Sequence, residues 1–201
     1  MAEEICPWAL RSELELEYHD KAWGFPLHDD AMLFEMLVLE TMQAGLSWTT
    51  ILKKREGMKQ AFDQFNPTII QSYQEDKIAE LLQDESIIRN KLKVNATISN
   101  AAAFLAVQKQ HGSFDSFIWS YVDNQPIQNK FKTIEDVPAH TPLAEQISKD
   151  LKKLGFKFIG PTTVYAFMQS IGMVNDHLVT CPIHQKAATH GSIIYRTDEL
   201  N

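Results

Sequence analysis

The 201 residues include only two cysteines, Cys6 and Cys181, set near opposite ends of the chain. In a reducing compartment a permanent disulfide between them is disfavoured, which leaves burial or metal ligation as their uses. No run approaches the roughly 20 apolar residues of a membrane span. The opening MAEEICPWAL also lacks a basic segment followed by an apolar stretch, so a cytoplasmic location without membrane attachment is expected. Positive charge is scarce: 19 Lys and Arg against 26 Asp and Glu give a formal net charge of -7. That balance argues against a generic nucleic-acid binder, whose phosphate contacts come from clustered basic side chains. Internal repeats, low-complexity tracts and the apolar/polar alternation of half-buried strands are missing as well.

What is present is helical. The hydrophobic content of 44% suffices for a sizeable core over 1–201, as a single domain or as two small lobes. The spacing predicts an all-α protein of roughly eight to ten helices. Asp29 and Asp30 cap a helix to Gln43, Gly45 breaks it, and Ser47 caps the next. Asn66-Pro67 opens a short helix, and others are expected over 76–83, 89–110 and 114–122. Residues 123–141, with Pro126 and Pro138, read as a linker or long loop. A helical hairpin over 142–172 follows, entered at Thr141-Pro142 and turning between Gly155 and Gly160. Residues 183–201 stay unassigned.

Three constellations bear on chemistry. In LFEMLVLETMQAGLSW (33–48), Glu40 shares a helical face with Leu33, Met36 and Leu37, beside a face carrying Val38, Leu39 and Met42. No polar face is left for it. Such an acid is paired, or it faces a cavity that something polar enters, because uncompensated burial costs several kcal/mol. Trp8, Tyr18, Trp23 and Trp48 are either core or a wall for a flat ring, and a cationic ring would gain both stacking and charge attraction. In the hairpin, KDLKKLGFK places four lysines against one aspartate beside Gly155. Either this is an ordinary connection with a solvated face, or the amides after Gly160 form an anion site. Cys6 and His19 with His177 and Cys181 make a Cys2His2 set if zinc is bound, His177 and Cys181 lying four apart as on one side of a helical turn. The alternative is buried thiols and hydrogen-bonded histidines, and His184 is a rival ligand. Such a site has no open position, so it is expected to be structural.

Taken in order, Cys6-Pro7-Trp8, YHDKAWGFP, LFEMLVLETMQAGLSW, ILKKRE, FDQFNP, IIRNKLKVNA, FIWSYV and LGFKFIGPTTVYAFMQSIGMVNDH resemble the DNA-3-methyladenine glycosylase I family of the helix-hairpin-helix glycosylases. The likeness runs over about 5–182. It implies a helix-hairpin-helix glycosylase fold with a structural Zn2+ on Cys6, His19, His177 and Cys181 joining the two ends, which demotes His184. It further implies that Glu40 and Tyr18 hydrogen-bond the excised base, that Trp48 stacks on it, and that Trp8 lines the pocket. Gly45 and Leu46 match the loop that fills the gap left by the extruded nucleotide. Gly155, Lys157, Gly160 and Thr162 fall in the phosphate-gripping hairpin. An acidic residue is expected where Ala22 stands.

Related glycosylases carry a catalytic aspartate where Asn175 stands, in Val174-Asn175-Asp176-His177, and bifunctional ones a lysine where Thr162 stands. With no amine there, hydrolysis without strand cleavage is expected. Asp176, one position along, is either a substitute for that aspartate or, the preferred reading, a structural acid orienting its neighbours. The partners implied are double-stranded alkylated DNA and the product 3-methyladenine, with no obligate protein partner. A base methylated at N3 is already cationic and leaves as a neutral purine, so an ionised Glu40 would attract it without acting as a general acid.

Overall fold

In a computed structural model, residues 4–189 are described; the last residues of the unassigned tail, 190–201, lie outside them. Ten α-helices are seen among the described residues: α1 Glu13–Lys21, α2 Asp30–Gln43, α3 Trp48–Ala61, α4 Pro67–Ile70, α5 Glu75–Gln83, α6 Lys91–His111, α7 Phe114–Trp119, α8 Pro142–Lys153, α9 Pro161–Ser170 and α10 Pro182–Thr189. Among those residues no helix is long and apolar enough to cross a membrane.

Helix starts follow local chemistry. The Asp29 carboxylate accepts from the Met32 amide, Ser47 from Thr50, Asn90 from Leu92 and Lys93, and Thr141 from Ala144. Each satisfies amides that a first turn leaves without a partner. Asp30, expected to share the α2 cap, reaches a different helix: it accepts from the Phe114 and Asp115 amides at 2.9 and 2.8 Å and so caps α7.

Every residue of α2 from Leu33 to Met42 is buried. The helix is apolar on all sides, so it runs through the middle of the protein with α3, α6, α7 and α9 packed against it. The main hydrophobic cluster surrounds it. A smaller cluster gathers Cys6, Phe25, Leu178, Cys181, Ile183 and Ala187, and this is where the two ends of the chain meet. The first part of the tail thus has a place: α10 buries Ile183 and Ala187 against the cysteines.

Two expectations are corrected. The stretch 123–141 is not wholly loop, since Ile127–Gln128 (β1) pairs in parallel with Val174–Asn175 (β2). A two-residue strand is too short to show alternation in sequence. His177 and Cys181 do not sit on a helical turn either; the Cys181 amide bonds the Leu178 carbonyl at 2.8 Å in a turn ahead of α10. Pro182 in the first turn of α10 starts that helix only after Cys181.

Candidate active site

A cavity of about 420 Å³ opens between α1, α2, the start of α3 and α9, and its lining includes Trp8, Tyr18, Glu40, Trp48, Thr162 and Asp176. The four residues singled out for base recognition, carried by the segment before α1, by α1, by α2 and by the start of α3, therefore share one hollow. Tyr18 and Trp48 have ring centroids 5.2 Å apart at 48°, and Trp8 lies 6.4 Å from Tyr18. The indole of Trp23 packs edge-on against Trp8 at 4.9 Å.

Glu40 is 5% exposed and makes no ion pair among the described residues. Burial pushes its carboxyl up to about 8, opposed by a hydrogen bond from Ser170. The low-dielectric wall disfavours the carboxylate, so the ionised Glu40 expected during base recognition needs a positive charge beside it. A second acid on the same helix, Glu35, behaves differently. Its Oε1 accepts from Arg55 Nε of α3 at 2.6 Å, which makes it a structural ion pair. The sequence alone did not separate the two.

At the end of α2 the chain turns through Gly45 (φ +79), and Leu46 is 39% exposed. The buried Lys93 ammonium of α6 holds this turn, donating to the carbonyls of Met42 at 2.8 Å and Ala44 at 2.7 Å. These carbonyls, at the last turn of α2 and its C-cap, are among those a helix end leaves without helical partners. Sequence reasoning missed Lys93, because its long reach across the fold leaves no local trace.

The hairpin joins α8 to α9 through 154–160. Gly155 has φ +98, a left-handed conformation that favours glycine. At Gly160 an added Cβ would meet nothing within 4 Å, so the protein itself does not need glycine there. The turn is clamped from behind. Asn100 of α6 donates to the Lys157 carbonyl and accepts from the Lys157 amide, and the Ser148 hydroxyl donates to the Ile159 carbonyl. Lys157 and Phe158 face solvent, and Thr162, in the first turn of α9, faces the cavity.

Asp176 also lines the cavity. Its carboxylate accepts from Tyr165, Gln169 and Asn129, while Asn175 is turned away to Gln128 and the His184 carbonyl. His184, the rival ligand, donates to the Asn129 carbonyl at 2.8 Å and is not in the sulfur-nitrogen cluster.

That cluster is Cys6, His19, His177 and Cys181, all buried, with ligand atoms within 4.8 Å of one another. His19 Nε2 and His177 Nδ1 are 3.1 Å apart, and Cys181 Sγ lies 3.5 and 4.0 Å from them. Tetrahedral zinc with ordinary bond lengths needs about 3.3 Å between nitrogens and about 3.6 Å between nitrogen and sulfur. The remaining ring nitrogens are already engaged, His19 Nδ1 with Asp20 at 2.8 Å and His177 Nε2 with the Trp23 carbonyl at 2.9 Å. Those bonds aim the other two nitrogens inward, as metal-binding histidines require. The Cys6 contact holds the Cys181 thiol down, while the same contact and burial push Cys6 up. Donor type, spacing and orientation all fit a zinc ion.

Residues 8–185 match the methyladenine glycosylase family. The DNA-3-methyladenine glycosylase of Haemophilus influenzae is 47% identical over 177 residues, 88% of this chain and 96% of that protein. DNA-3-methyladenine glycosylase 1 of Escherichia coli K12 is 45% identical over 178 residues, 89% and 95% of the two chains. A crystal structure of a tyrosine-to-phenylalanine variant of 3-methyladenine DNA glycosylase I in complex with 3-methyladenine superposes with a TM-score of 0.87 at 36% identity, covering 96% of this chain and all of that one. With the match reaching from residue 8 to residue 185 and relatives aligned along nearly their whole length, this chain belongs to the methyladenine glycosylase family of enzymes.

Proposed function

We propose that the protein is a monofunctional, cytoplasmic DNA glycosylase that flips 3-methyladenine out of alkylated duplex DNA and hydrolyses its bond to deoxyribose, starting base-excision repair. One observation carries the reading: a buried acid without an ion pair, Glu40, borders a hollow walled by Trp8, Tyr18 and Trp48. A flat cation fits that chemistry. Its charge favours ionisation of Glu40, which then accepts a hydrogen bond from the base in a site where such contacts are strong. Tyr18 supplies a second polar contact and Trp48 the stacking face. Because the methylated base leaves as a neutral purine, little general-acid help is required, and the site's work is extrusion and recognition.

Leu46, carried on the turn that Lys93 braces, would fill the space the nucleotide vacates. The hairpin would hold the backbone as a helix-hairpin-helix element within a single helical domain. Gly155 supplies its left-handed turn, Gly160 leaves open space at the start of α9, and Lys157 adds charge beside it. Thr162 occupies the cavity wall where a lysine would attack the sugar, and among the described lining residues none is a lysine. That supports hydrolysis without strand cleavage.

Cys6, His19, His177 and Cys181 would hold a zinc ion, which cross-links the chain ends and takes no part in bond breaking. Its neighbours in sequence are pocket residues: Trp8 lies two positions after Cys6, Tyr18 precedes His19, and Asp176 precedes His177. Fixing the ligands therefore fixes the aromatic wall.

The test is base release from methylated duplex DNA, followed by chromatography. Release of 3-methyladenine, with strands left intact at the abasic sites, is expected; release of uracil alone would assign the pocket to another lesion.

A further inference from the structure

Glu15 plays no part in the chemistry described so far, yet it is 2% exposed and lines the same cavity. Its local sequence, Ser12-Glu13-Leu14-Glu15, has the form of a capping box, in which the glutamate turns back to the amide of the cap residue. Only half of that box forms. Ser12 accepts from the Glu15 amide at 3.1 Å, but the Glu15 side chain leaves the helix end and crosses to α3, where its Oε1 accepts from the Thr49 hydroxyl at 2.8 Å. The other carboxyl oxygen, Oε2, is buried and has no hydrogen-bond partner. A buried acceptor left in that state is costly, and a capping role would have satisfied it.

Its position explains what could satisfy it. Glu15 lies one turn before Tyr18 on α1, so the two share a face, and its anchor Thr49 directly follows Trp48. Glu15 thus lines the cavity together with Tyr18, proposed to make a polar contact to the base, and Trp48, proposed to stack on it, and it does so from a different helix from Glu40. Resting on the base-excision reading above, we propose that Glu15 is a further substrate-contacting residue, whose Oε2 accepts a hydrogen bond from the extruded cationic base and makes the pocket selective for positive charge. Two acids then approach the ring from α1 and α2, and Thr49 is the positioning residue that keeps Glu15 aimed. A neutral base would gain less from this pair than a cationic one, which gives discrimination without added bulk.

The experiment compares single-turnover release of 3-methyladenine by the wild type, Glu15→Gln and Thr49→Val, with the thermal midpoint and the Kd for methylated duplex measured alongside. Glu15→Gln keeps the shape and removes the charge, so it should retain its melting midpoint and DNA affinity while excising about tenfold more slowly. Thr49→Val should show a smaller loss of the same kind. An active wild type with a Glu15→Gln variant of equal rate would overturn the assignment, as would a loss that merely follows a fallen midpoint. A wild type that releases no 3-methyladenine would instead overturn the base-excision reading itself.

Discussion

Replacing Glu40 with Gln separates stability from activity in a way that can be measured. The carboxyl titrates at about 8 in the folded protein against 4.5 for an unburied glutamate, and burial is the cause. A raised carboxyl favours the folded state only while protonated. Its contribution is intact below the unfolded value, declines as the unfolded chain ionises above pH 4.5, and levels off once the folded group ionises near 8. Glutamine has the same shape and no charge to bury. The stability of Glu40→Gln relative to wild type should therefore grow by about 1.4 kcal/mol per pH unit through this window, reaching about 3 kcal/mol at pH 7 and about 5 kcal/mol at pH 9. Urea unfolding of both proteins at pH 6, 7, 8 and 9 gives the difference directly, and titrations common to both cancel. The same variant should release 3-methyladenine at least tenfold more slowly, as expected for lost charge-assisted contact (roughly 2 kcal/mol). A stability gap that does not change with pH would show that Glu40 is not held neutral by burial, and the reasoning about the pocket would fail with it.

Three further perturbations address other parts of the site. If the four-residue cluster holds the proposed zinc, a chelator, or replacing Cys181 with Ser, should remove close to one zinc per chain, lower the melting midpoint by several degrees and weaken base binding with it, since Trp8 and Tyr18 lose their support; elemental analysis and calorimetry check this, and a protein isolated with no zinc at all would remove the clip. Gly24→Ala should weaken the same cluster without replacing a ligand, because the added Cβ would sit 2.8 Å from His177 Nε2 at a φ of +81 and push that ring, and metal content after dialysis reads the loss. Leu46→Ala changes a residue 39% exposed, so the midpoint should move by less than about 1 kcal/mol equivalent, while nucleotide extrusion, followed with a fluorescent base opposite the lesion, should fall several-fold.

Much of this was legible in the linear chain because it rests on local chemistry. Caps at Asp29, Ser47, Asn66 and Thr141 act within three residues of themselves, so helix starts could be placed. The four cluster residues and the Glu40 helix were recognisable because their spacing and surrounding residues form a pattern that resembles a family. What stayed hidden depends on distance. Asp30 caps a helix that starts more than eighty residues later, Lys93 braces the turn at Ala44, and β1 finds β2 over a separation of 47 residues.

The sequence by itself determined that this is a helical protein with an apolar central helix, an acid embedded in it, a glycine-bounded hairpin and a Cys2His2 set at its two ends. Only the tertiary structure decided which buried acids are spoken for. Glu35 is neutralised by Arg55, Asp176 is occupied by three donors, and Glu40 and Glu15 line the cavity, one carboxyl oxygen of Glu15 having no hydrogen-bond partner. The physical reason is that the chain sets what a side chain can bond, whereas its partner, and the dielectric around it, are set by elements brought alongside from elsewhere in the fold.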